Sequence, residues 1–225
     1  TDIKSIAEDL DGEIWIGTDE GISVFYNPSN VFDENIEAER ILIQQDGQTQ
    51  ILLETEVINT IEIDGANRKW LGTQNSGVYL MSEDGTEEVA HFTTENSPLF
   101  SNNIFDIEID PTTGEVFIGT EKGLISYKGT ATEPDTDFNN VFVYPNPVKP
   151  DFTGTIAIRG LVKNTDVRIT DVSGNIVYQT TSLGGQAIWD GKDFNGNKVH
   201  TGVYMIFNGS SEGDLKAVAK ILFIH

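Results

Sequence analysis

The loop Asp190-Gly-Lys-Asp193-Phe-Asn195-Gly-Asn197 crowds four oxygen-bearing side chains into one short stretch. Closely spaced hard oxygens are what a calcium ion takes, although the loop lacks EF-hand spacing and a bidentate glutamate. The competing reading is a tight hairpin beneath Trp189, in which Asp and Asn bond to their own backbone. That reading is preferred, so no metal is assigned, and the Asp9/Asp11 and Asp64/Asn67 turns are read the same way. His91, His200 and His225 stand apart from one another, with no HxxxH or HxxE partner. Zinc and triad chemistry are therefore not expected. The chain has no cysteine, which removes thiolate ligands, disulfides and a Cys nucleophile together. No GxSxG elbow, Walker loop or GxGxxG fingerprint occurs. Among 36 carboxylates nothing nominates one pair for glycosidase-type acid and base work. The residues thus predict a non-enzymatic protein with no catalytic residues and no cofactor.

The formal net charge of −22 repels phosphate backbones, so no nucleic-acid partner is expected. No stretch approaches the roughly 18 apolar residues of a membrane-spanning helix. The chain opens on Thr1 inside a repeat, and this predicts the C-terminal part of a longer protein.

What positions these residues is a repeat. Its copies read Ile6-Ala-Glu-Asp9-Leu-Asp-Gly12-Glu-Ile-Trp15-Ile-Gly17-Thr18, Ile61-Glu-Ile-Asp64-Gly-Ala-Asn-Arg-Lys-Trp70-Leu-Gly72-Thr73 and Ile107-Glu-Ile-Asp110-Pro-Thr-Thr-Gly114-Glu-Val-Phe117-Ile-Gly119-Thr120. In each, an alternating strand enters an Asp/Gly/Asn turn, a second strand carries an aromatic two residues before Gly, and a further Gly opens a third strand. Trp15, Trp70 and Phe117 share one repeat position and are expected to pack between neighbouring sheets. Successive Gly-Thr pairs lie 55 and 47 residues apart, and periods of ~40–50 residues built from three or four strands are propeller blades. The longer first interval holds Arg40-Ile-Leu-Ile-Gln-Gln-Asp46-Gly47-Gln-Thr-Gln-Ile-Leu-Leu-Glu54, two strands about an Asp-Gly turn. Three blades fall short of the usual ring of ~4–8, so a partial ring is expected.

Residues 129–140 are polar and aperiodic and read as a linker. Beyond them, short strands are predicted at Thr155–Arg159, Asp166–Val172, Ile176–Tyr178, Ala187–Trp189, Val203–Phe207 and Ala217–Ile224, after a first near Val141–Tyr144. That count fits an immunoglobulin-like sandwich over 141–225. The predicted fold class is all-β: propeller blades over 1–128, then the sandwich.

Two resemblances rest on these residues. The Gly-x-Ile-Trp-Ile-Gly-Thr pattern, with the connector Phe92-Thr-Thr-Glu-Asn-Ser-Pro98, resembles the two-component-regulator propeller repeat of Bacteroidetes. Tyr144-Pro-Asn-Pro-Val148, Asp171-Val-Ser-Gly-Asn175, Trp189-Asp-Gly-Lys, Thr201-Gly-Val-Tyr204 and Lys220-Ile-Leu-Phe-Ile-His225 resemble the C-terminal sorting domain of type IX secretion cargo. The ending on His225 departs from that family's usual basic terminus. The whole, including the Arg40 hairpin and the Glu54-Thr-Glu-Val-Ile-Asn-Thr60 run, resembles the propeller component of that system's cell-surface attachment complex. The resemblance implies export to the cell surface at the outer membrane and a scaffold role. It also implies partners resembling the sortase PorU and the outer-membrane barrel PorV, with surface lipopolysaccharide or glycan as a further partner. It makes Lys220, Ile221, Leu222, Phe223, Ile224 and His225 the sorting and docking residues. An exposed edge strand of the sandwich would let docking proceed by strand addition. A secreted cargo propeller for glycan binding or adhesion is the first alternative, and an extracytoplasmic sensor the second.

Overall fold

The computed structural model describes residues 1–30, 32, 37–45, 47–209 and 215–224. The chain divides into two compact units, Thr1–Gly129 and Thr130–His225.

The first unit consists of antiparallel meanders. One sheet is built from β1 (Ile3–Glu8), β2 (Ile14–Thr18), β3 (Gly21–Phe25) and β4 (Glu39–Arg40) in that order. A two-stranded hairpin of β5 (Leu42–Gln45) and β6 (Gln48–Ile51) follows. Gln45 pairs with Gln48 and Gly47 takes φ 74°. Asp46, expected in the turn, lies outside the described residues. The second sheet contains β7 (Ile58–Ile63), β8 (Lys69–Thr73), β9 (Val78–Met81) and β10 (Glu88–Phe92). The third contains β11 (Ile104–Ile109), β12 (Glu115–Thr120) and β13 (Gly123–Lys128). First strands lie side by side, β1 against β7 and β7 against β11, as the inner strands of neighbouring blades do.

The repeated residues have repeated jobs. Asp9, Asp64 and Asp110 each accept two backbone N–H groups of their own turn on Oδ1. In the first two copies Oδ2 also accepts the indole N–H of Trp15 or Trp70 at 3.2 Å. The hydroxyls of Thr18, Thr73 and Thr120 close the next turn on the carbonyls of Gly21, Gly77 and Gly123. Gly17 and Gly72 are required by close approach, since a Cβ there would meet the Ile58 side chain at 2.9 Å and that of Ile104 at 2.7 Å. Each isoleucine opens the next blade, so these glycines set the spacing between blades.

Trp15 is fully buried among Ile58, Ile61, Leu71 and Met81 of the second sheet, and Trp70 among Ile104, Ile107 and Ile118 of the third. Phe117 departs from expectation at 36% exposed. The residue sits in the same register, but among the described residues of this unit no further sheet packs on its face. A polar latch also joins the first two blades. Lys69, fully buried, donates to Asp9 at 2.9 Å, to the Asn67 carbonyl at 2.8 Å and to the Glu83 carbonyl, with Nζ 4.5 Å from the Trp15 ring. Burial raises the Asp9 pKa, but bonds from Lys69 and from the Glu13 and Asp11 amides outweigh it and hold the carboxyl below its usual value.

Among the described residues of the second unit, seven strands form two sheets. One is ordered β14 (Phe142–Tyr144), β15 (Ile156–Arg159), β18 (Gln186–Trp189), and the other β17 (Ile176–Thr181), β16 (Asp166–Thr170), β19 (Gly202–Gly209), β20 (Leu215–Phe223). Inward residues of both sheets, among them Ile158, Ile169, Trp189, Ile206 and Ile221, share one core. Tyr204 fixes the entry to β19 by donating its hydroxyl to the His200 carbonyl at 3.0 Å, an arrangement like the tyrosine corner of immunoglobulin sandwiches. The stretch read as a linker is, from Thr130, part of this unit. Ala131 and Thr132 are buried, Thr132 bridges Gly184, and the Asp135 N–H donates to the Leu161 carbonyl. Local polarity hid this, because the segment gains its partners from distant backbone rather than from any period of its own.

Candidate functional site

The site taken from the sequence is the terminal strand, and the structure divides its residues between two faces. Ile221 and Phe223 point into the core, where Phe223 meets Trp189 and Tyr204 edge-on at 5.2 and 5.4 Å. They hold the strand down, so neither side chain lies on its outward face. Lys220, Leu222 and Ile224 are exposed, and Leu222 lies directly opposite Val203 of β19 on the solvent side. His225 lies outside the described residues.

The backbone edge of β20 is already occupied over Lys220–Ile224. Asn146 acts as a short strand in side-chain form: its amide nitrogen donates to the Lys220 carbonyl at 2.8 Å, and its Oδ1 accepts the Leu222 N–H at 3.1 Å. Val148 continues the pairing, donating its N–H to the Leu222 carbonyl and accepting the Ile224 N–H. The flanking Pro145 and Pro147 have no N–H to offer a further strand. Strand addition, the docking mode expected from sequence, therefore has no free hydrogen-bonding row along this part of the edge, since unpaired edges are what invite it. Asn146 and Val148 thus close this edge, a structural role the sequence reading missed. Their segment was visible as Tyr144-Pro-Asn-Pro-Val148, but nothing local shows that Asn146 reaches a strand more than seventy positions later.

The loop at 190–197 uses its carboxylates internally. Asp193 Oδ1 accepts the amides of Asn195 and Asn197, both at 2.9 Å, and these bonds hold its pKa below the ordinary carboxylate value, the Asn197 amide most. Asp190 accepts the Lys192 amide and pairs with its ammonium at 3.0 Å, while the Trp189 indole donates to the Lys192 carbonyl. The turn at Asp171 repeats the arrangement with Ser173 and Asn175. Among the described residues no group of three or more His, Asp or Glu could hold a metal. His91 is stacked on Tyr79 at 3.8 Å with Nε2 against the Ser76 carbonyl, far in sequence from the exposed His200. Among the described residues no helix is long and apolar enough to cross a membrane.

The secretion system C-terminal sorting domain family matches residues 142–223, from the first strand of the sandwich to the last. No curated protein matches the chain. Among solved structures, PorZ of Porphyromonas gingivalis, described as an essential surface component of the type IX secretion system, is 32% identical over 99% of this chain with a TM-score of 0.63. This chain spans 30% of that protein. Two structures of the extracellular domain of a B. thetaiotaomicron signalling protein, described as a hybrid two-component and a one-component system, are 14% and 17% identical. Their TM-scores are 0.39 and 0.41, over 99% and 98% of this chain and 31% and 29% of theirs. With 32% identity along 99% of its length, the chain is a structural homologue of PorZ, with a type IX C-terminal sorting domain in residues 142–223.

Proposed function

We propose that this chain serves in a surface component of a type IX secretion system, as a non-enzymatic scaffold for sorting and anchoring secreted proteins. The observation carrying the reading is the likeness to PorZ along 99% of the chain, blades and sorting domain together. A sorting domain alone would fit cargo equally well. Export across the outer membrane follows from the sorting domain. The partners are outer-membrane components resembling the sortase PorU and the barrel PorV. Docking uses the outward side chains of Lys220, Leu222 and Ile224 with Val203, because the backbone edge beside them is filled by Asn146 and Val148. The test is Leu222→Glu, a substitution on an exposed face. Co-purification with the barrel falls by about tenfold, as for a contact near the centre of an interface, while the thermal melt stays that of the parent. Full retention of the barrel by a folded Leu222→Glu protein overturns this docking surface.

A further inference from the structure

The two units differ sharply in charge. Residues 1–129 hold 26 carboxylates and 6 Lys or Arg, whereas residues 130–225 hold 10 and 8. Three of those eight cations, Lys149, Lys192 and Lys198, line one cavity of about 270 Å³ in the sorting domain. Lys192 and Lys198 are direct partners across an antiparallel bridge, a placement in which like charges repel. Asp190, also lining the cavity, pairs with Lys192. Among the described residues neither Lys149 nor Lys198 is ion-paired. The residues lining the cavity therefore carry two positive charges in excess, in a domain whose overall charge is slightly negative.

The cavity's other wall is apolar. Ile156 and Phe223 are core residues, and Phe152 packs against the same core. Gly191 keeps that wall open: it takes φ 74°, and a Cβ there would meet Phe223 at 3.2 Å and Ile156 at 3.5 Å. Beside such surface a charge is less screened than in bulk water, so the ammonium groups act more strongly on an anion seated against it. Thr153 and Thr155 add hydroxyls to the lining.

We propose that this cavity binds a small amphipathic anion, a single carboxylate or phosphate carried on an apolar body. The apolar body lies against Phe152, Ile156 and Phe223, and the anionic group sits among the three lysines. This site is separate from the outward row of β20 and does not depend on the docking assigned to it.

The experiment uses the whole 225-residue chain and follows the backbone amides of Gly191, Lys192 and Lys198 by NMR. The probes are phenyl phosphate and phenylacetate, with inorganic phosphate and benzyl alcohol as the anion and the apolar body alone. Both amphipathic probes give saturable shifts at these amides with a Kd of about 1 mM, the range for ligands of about ten heavy atoms. Each half-probe binds more weakly, and the ratio between the two amphipathic probes identifies which anion is preferred. Lys198→Gln and Lys149→Gln each weaken binding about fivefold, the weight of one partly exposed charge interaction, and both variants melt like the parent. Absence of saturation up to about 20 mM, or an affinity unchanged in both lysine variants, overturns the site.

Discussion

Glu62 of β7 shows how much one side chain can depend on the neighbouring blade. Burial, then the negative charge of Glu108 on β11, pushes its pKa from 4.5 up to about 7, although the Ile109 amide bonds to it. A carboxyl whose pKa is raised by folding favours the folded state most below its unfolded value of 4.5, and that contribution is lost as pH rises through about 7. Glu62→Gln is therefore expected to raise the melting temperature at pH 8 by about 2–4 °C and to leave it unchanged at pH 4, followed by circular dichroism. An equal effect at both pH values would show that the carboxyl titrates normally. At this scale the repeat was informative wherever the partner is local. The bonds of Asp9, Asp64 and Asp110 to their own turns are legible from residue type, because a short acidic side chain reaches the amides just after it. Lys69 was not legible. In sequence it is half of an ordinary Arg-Lys pair, and its burial follows only from Asp9 arriving on another blade, sixty residues earlier.

At the scale of elements, the spacing of Gly-Thr pairs specified the blades well because a propeller sheet is a local meander. Phe117 marks the limit of that reading. Its repeat position is that of two buried tryptophans, yet burial belongs to the neighbouring sheet and not to the position. Glycine substitution tests the same idea. Gly72→Ala forces a methyl against Ile104 and Thr60 and should cost about 1–3 kcal/mol by overpacking. Gly119→Ala, whose Cβ would have nothing nearer than the Asp106 carbonyl at 3.5 Å, should be nearly neutral in the same urea titration. Equal costs would contradict the view that these glycines serve the blade interface. In the sandwich, the described strands were legible from alternation and turn residues, but the fate of the edge was not. Asn146→Ala removes two hydrogen bonds from β20 and should cost about 1–2 kcal/mol. It should also increase self-association of the chain in sedimentation velocity, since it uncovers part of an edge. A variant that stays monomeric at parental stability would deny Asn146 the role of a plug.

The whole molecule separates its properties by unit. Almost all of the net negative charge is carried by the blades, while the sorting domain is close to neutral. The order of blades then sorting domain was legible because both carry distinctive turn motifs. Which face of the last strand is accessible was not, because alternation marks two faces without naming the one that is covered. The scaffold reading concerns other proteins as much as this one, and its most direct test is deletion of the gene in the source bacterium. Mass spectrometry of the remaining sorting-domain proteins then compares intact with processed forms. The account predicts that they accumulate with their C-terminal domains attached. Normal maturation would contradict it and identify the protein as cargo of the route it was proposed to serve.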